Sequence, residues 1–228
     1  MALVLCFGCL AAAEEEAGHK LGDTVKMGTW AGEEIEWLVI GVHEDGTCVL
    51  MSVKVLDAAA YNRMPTGVTW EECSLRAWLN GEFYETAFTA EEREKIVPVT
   101  LENPDNTKYG TRGGNATVDR VYLLSLEEVG RYFNVDPYNK GSAEALIGIP
   151  TQTALDKGVY PVSEEDMASA QSMYEYPLQV GATWWWLRSP GIEQDYTARM
   201  LVYGRVDAGG YFNDASFGGL RPVICVRF

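Results

Sequence analysis

Residues 184–191 read Trp-Trp-Trp-Leu-Arg-Ser-Pro-Gly, and residues 218–226 read Gly-Gly-Leu-Arg-Pro-Val-Ile-Cys-Val. Between them lies a segment dense in tyrosine, glycine, aspartate and asparagine. These three pieces decide how the chain is read. Three adjacent tryptophans on a strand must send alternate rings to opposite faces, so Trp185 points away from Trp184 and Trp186. One face is core; whether the other meets more core, a loop or a ligand is open at this point. Arg188 and Arg221 stand among apolar residues beside Pro190 and Pro222. A guanidinium in such a setting serves as a fork that hydrogen-bonds loop carbonyls.

The interval between the two motifs holds Glu193, Gln194, Asp195, Tyr196, Arg199, Tyr203, Arg205, Asp207, Tyr211, Asn213, Asp214 and Ser216. Its composition is that of a paratope. Tyrosine supplies rigid, amphipathic contact area at low entropic cost, and Asn, Asp, Ser and Gly supply adaptable hydrogen bonds. Two readings stand side by side: a ligand-facing surface, or a solvated array of hairpins.

Upstream, Thr24–Trp30 alternates apolar and polar residues, and Glu34–His43 places Ile35, Trp37, Val39 and Gly41 on one face. Glu44-Asp45-Gly46 turns the chain into Thr47–Val53, which predicts an opening β-meander. Leu75, Trp78, Leu79 and Phe83 have helical spacing. Thr89-Ala90-Glu91-Glu92 is a capping box for a short helix to Ile96, and Ser125-Leu126-Glu127-Glu128 caps another through about Phe133. Residues 163–172 are a further helix candidate with Ser163 at the cap. Residues 98–118, rich in Pro, Asn, Gly and Asp, predict a long loop, followed by a strand over Val118–Ser125. No repeat or linker-like tract divides the chain, and loops this long persist where they build a surface.

The 228 residues suffice for one sizeable core. With 33 acidic against 18 basic residues the net charge is −15, which repels phosphate backbones and anionic headgroups and argues against nucleic-acid or membrane-surface partners. Residues 1–13, MALVLCFGCLAAA, form an apolar run too short to span a bilayer. It ends in small residues, as an export signal does, but lacks a basic start. We expect residues 1–19 to be a signal-like export segment, shortened at its start, and residues 20–228 a single domain; an N-terminal strand is the other reading. A lipid anchor on Cys9 or Cys6 is a weaker reading: Gly8 suits the position before Cys9, whereas Phe7 and Cys6 fit the pattern poorly. Residues 1–19 hold three of the acidic residues and none of the basic ones, so the remainder is still strongly acidic. Cys48, Cys73 and Cys225 remain there, allowing at most one internal disulfide.

Little in the sequence marks catalysis. The chain has two histidines, His19 and His43, and neither sits in a motif with a Ser or Cys nucleophile. Calcium is the one metal the residues suggest, because Asp195, Asp207, Asn213 and Asp214 cluster and Asn103, Asp105 and Asn106 share the long loop. No fixed oxygen-ligand spacing is present, so no metal or other cofactor is expected. A paired-carboxylate hydrolase acting on a surface polymer stays open, because sequence gives no carboxyl separations. Gly113-Gly114 and Gly209-Gly210 lack the helix that a phosphate loop requires.

Taken in order, TWEECSLRAWLNGEFYETAF (69–88), VDRVYLLSLEEV (118–129), WWWLRSPG (184–191) and GGLRPVICV (218–226) resemble a bacterial domain of unknown function found in exported proteins. The likeness runs from about Leu21 to Phe228. It implies an α+β, C-type-lectin-like fold: a mixed, mostly antiparallel sheet, two or three short helices and long loops, with the first and last strands paired. The chain is also similar to targets of diversity-generating retroelements, in which a display segment varies on a fixed scaffold. The resemblance assigns Trp185, Trp186, Arg188, Pro190, Gly219, Arg221 and Pro222 to the scaffold and residues 193–217 to the display segment. Related oxidising folds need a copper-binding cysteine pair or a His-rich iron site, and neither arrangement occurs here. The expectation is a secreted or surface-displayed binding module with no catalytic residue. It would recognise a protein or glycan through Tyr196, Tyr203, Arg205, Tyr211, Asn213 and Asp214. A surface-polymer hydrolase and a structural piece of a surface assembly are the alternatives.

Overall fold

The computed structural model describes residues 18–139, 141–170 and 178–228. The expected export segment falls almost wholly outside them. The opening meander forms from Thr24–Trp30 (β1), Glu33–Val42 (β2) and Cys48–Ser52 (β3), paired antiparallel. Its alternation has a simple cause: Ile35, Trp37 and Val39 are buried while Glu34 and Glu36 face water. Trp37 would bury an unpaired indole N–H, but Nε1 donates to Met27 O at 2.8 Å.

A short strand, Asp57–Ala58 (β4), precedes a helical stretch in three pieces: Ser74–Trp78 (α1), a π-helical turn Leu79–Phe83, and Tyr84–Ala87 (α2). Cys73 caps α1 through its sulfur. Asn80, in the wide turn, gives its amide to Arg76 O and Val121 O and receives Arg120 N and Val121 N. The break therefore ties the helix to the strand beside it. Ala90–Lys95 (α3) carries the expected capping box of Thr89 and Glu92.

The stretch read as one long loop contains a two-stranded sheet, Val99–Leu101 (β5) with Thr117–Asp119 (β6). The strand expected over Val118–Ser125 is split between β6 and Val121–Tyr122 (β7). Leu126–Phe133 (α4) has the Ser125–Glu128 capping box. Gln152–Asp156 (α5) was not anticipated. Glu164–Ala170 (α6) covers the described part of the expected third helix, with Ser163 and Asp166 bonded at its start. Trp185–Pro190 (β8), Tyr196–Met200 (β9), Val206–Phe212 (β10), Gly219–Leu220 (β11) and Val223–Val226 (β12) complete the chain.

The strands form two five-stranded sheets, ordered β1-β2-β3-β12-β7 and β10-β9-β8-β11-β4. The architecture is mixed α+β, and its pairs are antiparallel except β11 with β8 among the described residues. Six short α-helices of four to eight residues lie among the described residues, more than the two or three expected, because the helical stretch 74–87 is interrupted and α5 adds a turn. The last strand does not pair with the first. β12 lies between β3 and β7, and β1 forms the far edge of the same sheet.

The chain passes from one sheet to the other at Arg221-Pro222. Arg221 is 2% exposed and makes no ion pair among the described residues: Nε donates to Ser52 O at 3.0 Å and Nη1 to Ala145 O at 2.9 Å, with the guanidinium 5.1 Å above the Trp185 ring. Burial lowers its pKa to about 9. Cys48, Cys73 and Cys225 are all free and buried. No helix among the described residues is long and apolar enough to cross a membrane.

Candidate functional site

β8, β9 and β10 form one antiparallel edge of the second sheet, and most of the expected display residues fall on or beside the β9–β10 hairpin. Its register pairs Met200 with Val206, Arg199 with Asp207 and Tyr196 with Phe212, and shifts between Asp207 and Tyr211. Gly210 makes the shift possible. Its φ is +74°, and a Cβ there would run into the Thr197 carbonyl. The bulge re-aims the last residues of β10, which hold Tyr211 and Phe212.

The hairpin divides the expected ligand-binding set in two. Tyr196 and Tyr211 lie at its open end, followed by Asn213 and Asp214, whereas Tyr203 and Arg205 belong to the connecting turn. Four residue steps along β9, from Tyr196 to Met200, separate the ends, roughly 13 Å at ~3.3 Å per residue. The turn is held by Leu201 N to Arg205 O and Gly204 N to Leu201 O. It docks on residues 142–143 through Ala143 N to Gly204 O. Tyr203 and Arg205 are half-buried there.

At the open end the rings form a continuous series. Trp186, fully buried, meets Trp184 edge-to-face at 4.7 Å. Trp184 meets Tyr211 at 6.0 Å and Phe217 at 5.9 Å, and Tyr211 meets Phe212 at 5.8 Å. Phe212 lies 4.4 Å from Tyr196, its partner across the strands, and is 47% exposed. The Arg199 guanidinium sits 5.1 Å from the Trp184 ring and 4.7 Å from the Tyr211 ring, with its Nε on Asp207 at 3.0 Å. Cation–π contacts of this kind fix rings that water would otherwise leave mobile. Withdrawal from water, then the carboxylates of Asp195 and Glu193, raises the pKa of the Tyr196 hydroxyl. It stays a donor at neutral pH.

Asn213 is placed differently. It is 1% exposed, its Nδ2 donates to Thr66 O at 2.9 Å, and its main chain links Asp195 and Asn62. Its amide works inside the protein. Asp214 is exposed beside it.

The loops around this end are joined by side-chain amides. Asn106 Nδ2 reaches Pro190 O and Ala208 O, both at 2.9 Å, and Gln194 Nε2 reaches Val68 O and Arg112 O. Asn103 joins Asn115 O to Arg188, accepting Nε of the arginine at 3.1 Å. Arg188, 3% exposed, also donates to Leu123 O and Glu102 O and forms a two-pronged pair with Glu128, in which Nη2 reaches Oε1 at 3.0 Å. Glu128 closes the capping box of α4 through Ser125 N, so one carboxylate serves both the helix and the motif arginine. Trp185 and Trp186 are fully buried on opposite faces, their Nε1 groups on Leu146 O and Ala59 O at 3.0 Å. Several of the candidate calcium oxygens accept hydrogen bonds: Asn103 Oδ1 from Arg188, Asp105 Oδ1 from Gly113 N, Asn106 Oδ1 from Lys108 N, and the Asp207 carboxylate from Arg199 and Gly210 N. No group of three His, Cys, Asp or Glu side chains that could hold a metal ion occurs among the described residues.

Residues 45–228 match the model of a sequence family described as Domain of unknown function (DUF6273). The chain belongs to that family. The match takes in every strand from β3 to β12, so the DUF6273 region holds both the aromatic series and the arginine forks. No curated protein and no solved structure matches the chain.

One polar cluster, which joins β1 to the DUF6273 region, gave no signal in the sequence. Asp57, 1% exposed, accepts Trp30 Nε1 at 2.8 Å and Lys157 Nζ at 2.7 Å on the same oxygen, and Ala58 N on the other. Asp57 and Lys157 are a hundred positions apart, and neither stands in a motif.

Proposed function

We propose that the chain is a binding module that recognises a protein or glycan through the aromatic end of the β9–β10 hairpin, displayed outside the cell. The observation that carries this reading is the pair Tyr196–Phe212. It presents flat, accessible ring surface and is supported from behind by Tyr211, Trp184 and Trp186. Ile192, 47% exposed, belongs to the adjoining loop. A ring already held in place loses little entropy on docking, which is what a binding anchor needs. The C-type-lectin-like likeness and the fixed-scaffold, variable-display logic belong to this proposal, as does the export reading of residues 1–19. On this reading recognition is non-covalent and Asp214, beside the rings, adds a polar contact.

The test is capture by the whole chain on protein and glycan arrays, compared with a Tyr196→Ala/Phe212→Ser double variant. Ligands held by the parent and lost by the folded variant support the reading. Retention of every captured ligand by the folded variant would sink it.

A further inference from the structure

A recess lies beside Asp57 and Lys157, where β4, α1 and the segment after β10 meet. Its volume is about 260 Å³, a little under the ~300 Å³ at which drug-sized sites begin, so it suits a fragment. Its floor is apolar, formed by Ala58–Ala60, Leu75 and the half-buried ring of Trp78, and its rim carries Arg63, Ser74, Lys157 and Ser216. Trp78 is held edge-on against Trp30 at 5.5 Å and lies the same distance from Phe83.

The charges do not cancel. Asp57 is answered by Lys157, by the Trp30 indole and by Ala58 N, and Arg63 makes no ion pair among the described residues. One positive charge is therefore left in the recess, on a chain whose net charge is −15. Lys157 uses one of its three donors on Asp57, which fixes the direction of the ammonium. Ser74 Oγ accepts Arg63 N at 2.9 Å, so its hydroxyl hydrogen is free to turn inward. A smaller cleft of about 140 Å³, lined by Trp30, has the opposite balance, with Lys26 and Lys54 against Glu33, Glu34 and Glu36. The recess and that cleft have no lining residue in common and differ in sign.

We infer that the recess is a binding site for a carboxylate carried on a flat ring. The Arg63 fork matches the two oxygens of a planar carboxylate. A single unmatched positive charge suits a monoanion, whereas a phosphate dianion would bring a second negative charge toward Asp57. The ring would lie on Trp78 and the alanine floor. This site is separate from the aromatic end of the hairpin and does not depend on the function proposed for it.

The test uses the whole chain labelled with nitrogen-15 and titrated with benzoate, with neutral benzamide and inorganic phosphate as comparisons. The Trp78 indole resonance is assigned by its loss in Trp78→Phe. Benzoate should shift that resonance with a Kd on the order of 1 mM, as expected for one ion pair and one small ring. Benzamide and phosphate should bind at least about tenfold more weakly, as should Arg63→Met, with Arg63→Lys between it and the parent. Phe212→Ser should leave benzoate binding unchanged. Equal binding of benzoate by Arg63→Met and the parent, no shift at Trp78, or phosphate binding tighter than benzoate would each overturn the inference. Arg63 is exposed, so its variants should keep the parent's melting temperature; if Arg63→Met does not fold, Arg63→Lys and the benzamide comparison decide.

Discussion

β8 and the β9–β10 hairpin are neighbours in one sheet and use their large side chains in opposite ways. In β8 all six residues are buried, and its indoles and guanidinium are each tied to main-chain carbonyls or to Glu128. At the open end of the hairpin the rings touch mostly one another, and the last of them reaches solvent. The difference shows what the two motifs are for: hydrogen bonds to carbonyls set the geometry of the strand, and ring contacts carry that rigidity outward without consuming polar groups at the surface. Substitutions in the two regions should therefore separate stability from binding.

The largest effect should come from Arg188→Met. It leaves Glu128 buried without its cation, and stability should fall by about 3–5 kcal/mol in denaturant titrations. Arg188→Met with Glu128→Leu should recover a good part of that loss. A single-variant cost under about 1 kcal/mol would break the contrast, because β8 would then tolerate change as readily as the hairpin. Next comes Gly218→Ala: a Cβ there would enter the Trp186 indole ring, so repacking should cost about 1–3 kcal/mol.

Alkaline pH sharpens the comparison further. Burial pushes the Cys73 thiol up to about 12 and the Cys225 thiol to about 11, and burial also raises the Tyr132 phenol to about 12. Above the ordinary thiol value of 9.0 the unfolded chain releases protons that the folded chain retains, so the unfolded state binds fewer protons and stability falls with rising pH. This stability is complete below about pH 9 and is lost between about pH 9 and pH 12. Arg221, lowered to about 9 by burial, contributes the opposite slope in that window. Cys73→Ala should make the net loss shallower in melting curves recorded across these pH values, and an unchanged slope would show that the thiol does not keep its proton. The smallest effect on folding is expected for Phe212→Ser, about 1 kcal/mol for a half-exposed ring paired with Tyr196, although on the proposed function it should abolish ligand capture.

The elements legible from sequence were those whose cause is local. The alternation of Ile35, Trp37 and Val39 and the two capping boxes each depend on residues a few positions apart, and each formed. The elements that were not legible have distant causes. β5 is only Val99–Leu101 and exists because Thr117–Asp119 pairs with it. The helix beginning at Ser74 opens into a π turn because Asn80 bonds to Val121, forty-one positions away. The sequence puts the six expected display residues in one segment, but it could not tell that Tyr203 and Arg205 belong to the far turn, or that Asn213 is buried against Thr66. Arg63, Asp57 and Lys157 carried no signal at all, because a charge balance inside a recess has no period.

The series of rings from Trp186 to Phe212 is also an optical path. Tyr211 lies 6.0 Å from Trp184, close enough to pass its excitation to the indole, and the Arg199 guanidinium contacts both rings. Anything that settles on Phe212 and shifts Tyr211 alters the surroundings of a tryptophan buried behind it. On the proposed function, occupancy of the outer surface should therefore show in the protein's own ultraviolet emission, with no attached dye.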